Sequence, residues 1–186
     1  MAGVDVSDII DIDEAGFKLE HSDRKFGKTV SSLRCSQNGV YGRGEKLNLL
    51  LAICGDDIDN MRWHETWMDG GTTIERFYNF MERIMDDLDD NYPGRSFVFT
   101  MDNLNSHKHA LITNLILSRG HRYVFRAPYW PVDGAVEYVF NTIQTRLQVY
   151  FNKLHTMEQL MNRINLIVGS MASFRRYFLH VGFPVA

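Results

Sequence analysis

Two strand-like stretches flank a single amphipathic helix in the middle of this chain, and that order fixes the local topology. "SFVFTMDN" (96–103) is short and dense in strand-forming residues. "SHKHALITNLILSRG" (106–120) follows with apolar residues at helical spacing, and Gly120 is placed to cap its C-terminus. "HRYVFRAP" (121–128) is strand-like again. Strand, helix, strand reads as a βαβ unit, whose two strands run parallel.

The remaining elements extend this unit on both sides. "SDIIDIDEAGFKLE" (7–20) alternates Ile10 and Ile12 with Asp11 and Asp13, a strand pattern, with a bend or bulge expected at Ala15-Gly16. "KTVSSLRC" (28–35) reads as a second strand and 36–44 as a Gly/Asn loop. "EKLNLLLAICGD" (45–56) is a third, apolar enough for burial on both faces. "MRWHETWMD" (61–69) alternates as a further strand or arm. The stretch 70–90 opens with a capping box, Thr72 with Glu75. It then carries Phe77, Phe80, Met81, Ile84, Met85 and Leu88 on one helical face. A Pro-rich corner precedes a helix over about 134–151, and a single final helix is expected over 156–178, opened by Thr156 and Gln159. The expected fold is α/β with a mixed sheet: antiparallel in its first three strands, then a parallel βαβ continuation flanked by helices.

A chain of 186 residues is most simply one domain with a real core. No apolar run approaches the roughly 20 residues of a membrane span. The N-terminus lacks the basic start and apolar stretch of a secretory signal. Cys35 and Cys54 make neither a disulfide framework nor a zinc pattern; they read as small core or strand residues of a protein from a reducing compartment. Residues 1–102 carry 11 basic and 20 acidic side chains, whereas 103–186 carry 9 and 3. Such a basic half reads equally as a phosphate-facing surface or as solvated helix faces.

In an open α/β sheet, chemistry collects where strands end. Three acids stand there: Asp13 in or near the end of the first strand, Asp102 at the end of "FVFTMD", and Glu137 in the first turns of the helix after the Pro corner. Each has an ordinary explanation as a turn or helix-start residue. Brought together they would repel, unless a cation neutralised them. Hard carboxylate oxygens suit Mg²⁺ or Mn²⁺, and a pair of such ions about 4 Å apart serves phosphoryl transfer.

Three ordered motifs go beyond spacing: "IDEAGF" (12–17), "TMDNLNSH" (100–107) and "APYWPVDGAVEYVFNTIQ" (127–144). In these the chain resembles the catalytic domain of DDE transposases, in particular the mariner-like superfamily and its bacterial insertion-sequence relatives. The resemblance covers about residues 9–150 and implies a ribonuclease H-like fold. It implies that Asp13, Asp102 and Glu137 are the catalytic, metal-binding triad, with two Mg²⁺ or Mn²⁺ ions. Asn103 and His107 match neighbours that shape the site or touch DNA; His107 reads equally as a polar residue opening a helix. Asp11, which shares a strand face with Asp13, and Glu14 are the near alternatives at the first motif, and Asp133 is the alternative at the third.

By the same resemblance the partner is DNA, both transposon ends and target, bound by a homodimer or larger assembly. The Met- and Phe-rich stretch 156–178 is a candidate interface. Lys108, Arg119, Arg122 and Arg126 are expected to contact phosphates. The location would be nuclear in a eukaryote and cytoplasmic in a bacterium. Residues 1–186 are expected to be one catalytic domain, without a helix-turn-helix module that reads DNA ends.

The third motif departs from the family pattern. Trp130 stands for Ser, and Val132-Asp133-Gly134-Ala135 stands for the usual Asp-Leu-Asn-Pro. The departure leaves room for a rival expectation, a transposase-derived domain that binds DNA or protein without cutting. A ribonuclease H-like nuclease acting on RNA or a hybrid is a further alternative.

Overall fold

The strand that carries Asp11 and Asp13 is the middle of the sheet. In a computed structural model that describes residues 4–19, 45–56, 58–68, 70–126, 134–150 and 153–183, a turn of 3-10 helix, Val6–Asp8, leads into β1, Ile9–Phe17. β2 (Leu47–Cys54) pairs antiparallel with β1, and β3 (Arg62–Trp67) pairs antiparallel with β2. After helix α1 (Ile74–Asn91), β4 (Val98–Met101) returns to the other side of β1 and runs parallel to it. Helix α2 (Ala110–Ser118) then crosses to β5 (Arg122–Phe125), parallel to β4. The spatial order is β3-β2-β1-β4-β5, the mixed sheet expected from the sequence.

Alternation along β1 and β2 divides the core in two. Ile10, Ile12, Leu50, Ala52 and Cys54 face α1 and α2, together with Phe97, Phe99 and Met101. Ile9, Phe17, Leu49, Leu51 and Ile53 face the opposite layer. That layer is α3 (Ala135–Leu147, continued by a 3-10 turn at Gln148–Tyr150), α4 (Met157–Gly169) and α5 (Arg175–His180). β2 is buried along its whole length, which is why its sequence shows no alternation. Cys54 is a buried free thiol that donates to the Ser7 carbonyl at 3.1 Å, a core residue as expected. Cys35 and the strand expected over 28–35 lie outside the described residues.

Several boundaries differ from expectation. β1 runs through Ala15-Gly16 without a break. The cap of α1 is Thr73, whose hydroxyl accepts from the Arg76 N–H, one residue later than the Thr72 box. α2 begins at Ala110, so His107 lies in the turn before it. The final helix is two helices. Thr156 and Gln159 do form a capping box, but α4 stops at Gly169 and the chain turns through 171–174 before α5. Leu160, Ile164, Ile167, Met171, Phe174 and Phe178 are all buried in the core, so they are not free to form a surface between copies.

Candidate active site

The parallel strands place the acids. In register, Ile12 pairs with Met101, and Met101 with Phe125. One residue further stand Asp102 and Arg126, just past the ends of β4 and β5, and Asp13 of β1. Contrary to expectation, Asp13 is not near the end of its strand but in the middle of β1, opposite Leu51 of β2, where the pairing with β4 stops. The β4–β5 ladder continues into this row, since the Arg126 N–H donates to the Met101 carbonyl at 2.8 Å, while the Ile12 carbonyl of β1 accepts from the Arg126 guanidinium.

Asp13 is 7% exposed. Its Oδ1 accepts the Glu14 N–H at 2.7 Å, and its Oδ2 lies 2.6 Å from Arg126 Nη2. Burial raises its pKa to about 7; Arg126 and the Glu14 amide oppose this, and the charges of Asp102 and Glu137 add to it. Glu137 is half-buried in the first turn of α3, and its pKa is also raised, first by burial and then by Asp11 and Asp102, against Arg126. The three acids are therefore within electrostatic reach of one another.

Asp102 is held from its other side. Its Oδ1 lies 2.6 Å from His107 Nδ1 and accepts the Leu104 N–H at 3.1 Å. His107 is fully buried, stacked near Phe77 with ring centroids 4.2 Å apart, and its Nε2 lies 3.5 Å from Glu14 Oε1. Burial alone would lower the imidazole pKa; contacts with Asp102 and Glu14 outweigh it and bring the value to about 9. Burial pushes the Asp102 pKa up, but His107, the Leu104 amide and Arg126 win and leave it lowered. A charged His107 bridging two acids orients Asp102 at the sheet edge. Asn103 Nδ2 donates to the Arg126 carbonyl and ties the ends of β4 and β5 together.

Asp11, the near alternative to Asp13, has a different task. It is fully buried on the α3 face of β1. Its Oδ1 accepts the Thr100 hydroxyl at 2.5 Å, and its Oδ2 accepts the Val136 N–H at 2.9 Å. The residue before α3 is Gly134, which has no side chain to cap the helix. Asp11 supplies that cap from the neighbouring strand, and so anchors the turn that carries Glu137.

The expected phosphate-binding residues divide. Lys108 and Arg122 are exposed. Arg119 is paired with Asp86 at 2.8 Å and also with Asp89. Arg126 departs from the expectation of a surface contact: its side chain is 8% exposed and turned inward, with Nη2 also donating to the Ile12 carbonyl at 3.0 Å. The first half of the chain had to fold before this was visible, because nothing local marks a cation that points into a sheet edge. Asp133 lies outside the described residues. Sequence reasoning also passed over a groove of about 560 Å³ between α3 and α5, lined by Tyr138, Asn141, Arg146, Arg176, Tyr177 and His180 among others.

The family model for DDE superfamily endonuclease matches residues 8–161. The chain belongs to the DDE superfamily of endonucleases. No curated protein matches it. The fold of this DDE superfamily member is that of the Mos1 mariner transposase structures. A pre-cleavage Mos1 transpososome superposes with a TM-score of 0.75 at 15% identity, over 95% of this chain and 52% of that one. A Mos1 paired end complex with Mn gives 0.75 at 14% identity, over 95% and 52%. The Mos1 catalytic domain with raltegravir and Mg gives 0.67 at 13% identity, over 95% and 77%. The chain thus spans about half the length of the transposase in the first two complexes. The sheet is ribonuclease H-like, as the resemblance implied.

The donor chemistry of this edge suits a hard divalent cation: carboxylate oxygens from two adjacent strands and a helix, with Asp13 destabilised as an anion by its burial. Among the described residues, no three acid, histidine or cysteine side chains stand arranged to grip one ion. The positive charge against Asp13 is that of Arg126.

Proposed function

We propose that this domain is the catalytic core of a DNA transposase, cutting and joining phosphodiester bonds with Asp13, Asp102 and Glu137. The observation that carries the reading is the shared row of Asp13 and Asp102 on parallel β1 and β4, with Glu137 on the helix start that Asp11 fixes beside them. These three side chains would hold two Mg²⁺ or Mn²⁺ ions, which when bound would activate the attacking oxygen and stabilise the leaving one. His107 would keep Asp102 oriented through its 2.6 Å contact. Asp11 would keep Glu137 in place.

The partner would be duplex DNA, transposon end and target, and the working form a dimer or larger assembly. The exposed Lys108 and Arg122 are candidate phosphate contacts. Arg146 and Arg176 join them: both line the α3–α5 groove, which contains no acidic residue. The deciding experiment is nicking of supercoiled DNA with Mg²⁺ or Mn²⁺. Wild type should nick, Asp102→Ala should not, and equal activity of the two would refute the triad.

One observation favours a second reading, a non-catalytic descendant that binds DNA or protein. Asp13 already has a counter-ion within the chain, so the acid pair does not need a metal to be stable. DNA binding without metal-dependent nicking by wild type would select this reading.

A further inference from the structure

The guanidinium of Arg126 sits where the carboxylates of β1 converge. Nη2 is 2.6 Å from Asp13 Oδ2 and Nη1 is 3.9 Å from Asp11 Oδ1. The backbone is shaped around it. A Cβ at Gly134 would lie 1.7 Å from Arg126 Nη1 and 3.4 Å from Glu137 Cγ. The guanidinium would have to shift to admit that Cβ, and the same group holds Asp13 and the Ile12 carbonyl through Nη2. Gly134 is also where the family motif has Asn. The departure from the motif and the inward arginine are thus one feature: the glycine makes the space that the cation fills.

We propose that Arg126 is a resident counter-ion of the acid cluster, which holds Asp11 and Asp13 together in the metal-free protein and must be displaced from Asp13 when a divalent cation binds. This rests on the reading of Asp13 as a metal ligand. The physical reason is exclusion of charge. A buried carboxylate paired with a guanidinium has its attraction for cations largely satisfied, and a divalent ion at the same oxygen would be repelled by the arginine. Arg126 is a positioning residue. It lowers metal affinity in exchange for a preassembled edge, and it makes occupancy depend on metal concentration. Gly134 is its partner, because any side chain there would force the guanidinium to shift.

The test is calorimetric titration of Mg²⁺ and Mn²⁺ into the full chain, for wild type, Arg126→Gln and Gly134→Ala, with melting in EDTA alongside. Both variants should melt lower than wild type without metal and bind metal more tightly, by about tenfold or more. Detectable binding in the variants alone would support the proposal equally. Equal or weaker metal binding in the variants would overturn it and leave the transposase reading standing. Absence of binding in all three would overturn it together with the metal reading. Should the variants not fold, the Arg126 Nε–H resonance of wild type decides. It should move as Mg²⁺ is added, and a resonance that stays put while metal binds would overturn the proposal.

Discussion

Asp11 Oδ2 accepts the Val136 N–H at 2.9 Å, a bond across 125 positions that docks the start of α3 onto the central strand. A helix whose own cap position is glycine borrows its cap from a strand. Asp11→Ala leaves the buried Val136 amide without its Asp11 acceptor and the Thr100 hydroxyl with only the long 3.5 Å bond to the Ile10 carbonyl. It should lower stability to urea by about 1–3 kcal/mol. Asp11→Asn keeps an acceptor and should cost less. A loss as large for Asn as for Ala would show that charge, not capping, is what Asp11 supplies.

The two β1 acids should separate by function as well as by stability. Asp13→Asn removes the carboxylate paired with Arg126 and should abolish Mg²⁺ binding. Asp11→Asn should retain binding at a reduced level, through a less well anchored Glu137. Titration calorimetry on the two variants checks this, and loss of binding in Asp11→Asn alone would reverse the assignment.

His121 gives the fold a pH dependence of its own, away from the acids. It is 4% exposed, its Nδ1 accepts the Phe97 N–H at 3.3 Å, and its ring packs against Phe97 and Phe99. Burial lowers its pKa from 6.5; Asp89 opposes this and Arg119 assists it. A histidine with a depressed folded pKa favours folding when neutral. Its contribution is therefore complete above the unfolded value of 6.5 and is lost as pH falls through the lower folded value. The acids Asp13 and Glu137, whose pKa values are raised, gain stability as pH falls through the same range, so the His121 contribution is read as a difference. Between pH 7 and pH 5 the urea midpoint of wild type should fall relative to that of His121→Gln, whose amide oxygen can still accept from Phe97. A difference that does not change with pH would assign the effect to other groups.

Phosphate contacts in the α3–α5 groove predict a salt signature. Arg146→Gln with Arg176→Gln should weaken duplex binding in EDTA and reduce the slope of log affinity against log salt by about two. Arg119→Gln, whose cation is already engaged by Asp86 and Asp89, should leave the slope nearly unchanged. A slope insensitive to the double variant would place the DNA elsewhere.

What the sequence carried well was whatever local periodicity encodes. The parallel pair β4 and β5, the doubly buried β2 and the face of α1 follow from spacing alone, and Gly120 ends α2 with φ +78° as its position suggested. The break after Gly169 was hidden because apolar residues keep helical spacing across it: Ile167, Met171, Phe174 and Phe178 are all buried although the chain turns between them. At α1 two threonines compete for one cap, and spacing cannot choose between neighbours. The motif residues Asp13, Asp102 and Glu137 were named from their positions. The roles of Asp11 and Arg126 were not legible, because each depends on a partner more than a hundred residues away in sequence.

The central position of β1 has a consequence for how the edge wears with time. Asp11 is paired on both sides, with Ile53 of β2 and Thr100 of β4, so its amide should exchange with solvent only when the whole domain opens. Glu137 lies in the first turn of a helix outside the sheet, which can loosen without opening the strands. The edge is therefore a fixed anvil with one adjustable jaw. Change at the half-buried Glu137 can retune or disable it without endangering the fold, whereas change at the buried residues of β1 cannot.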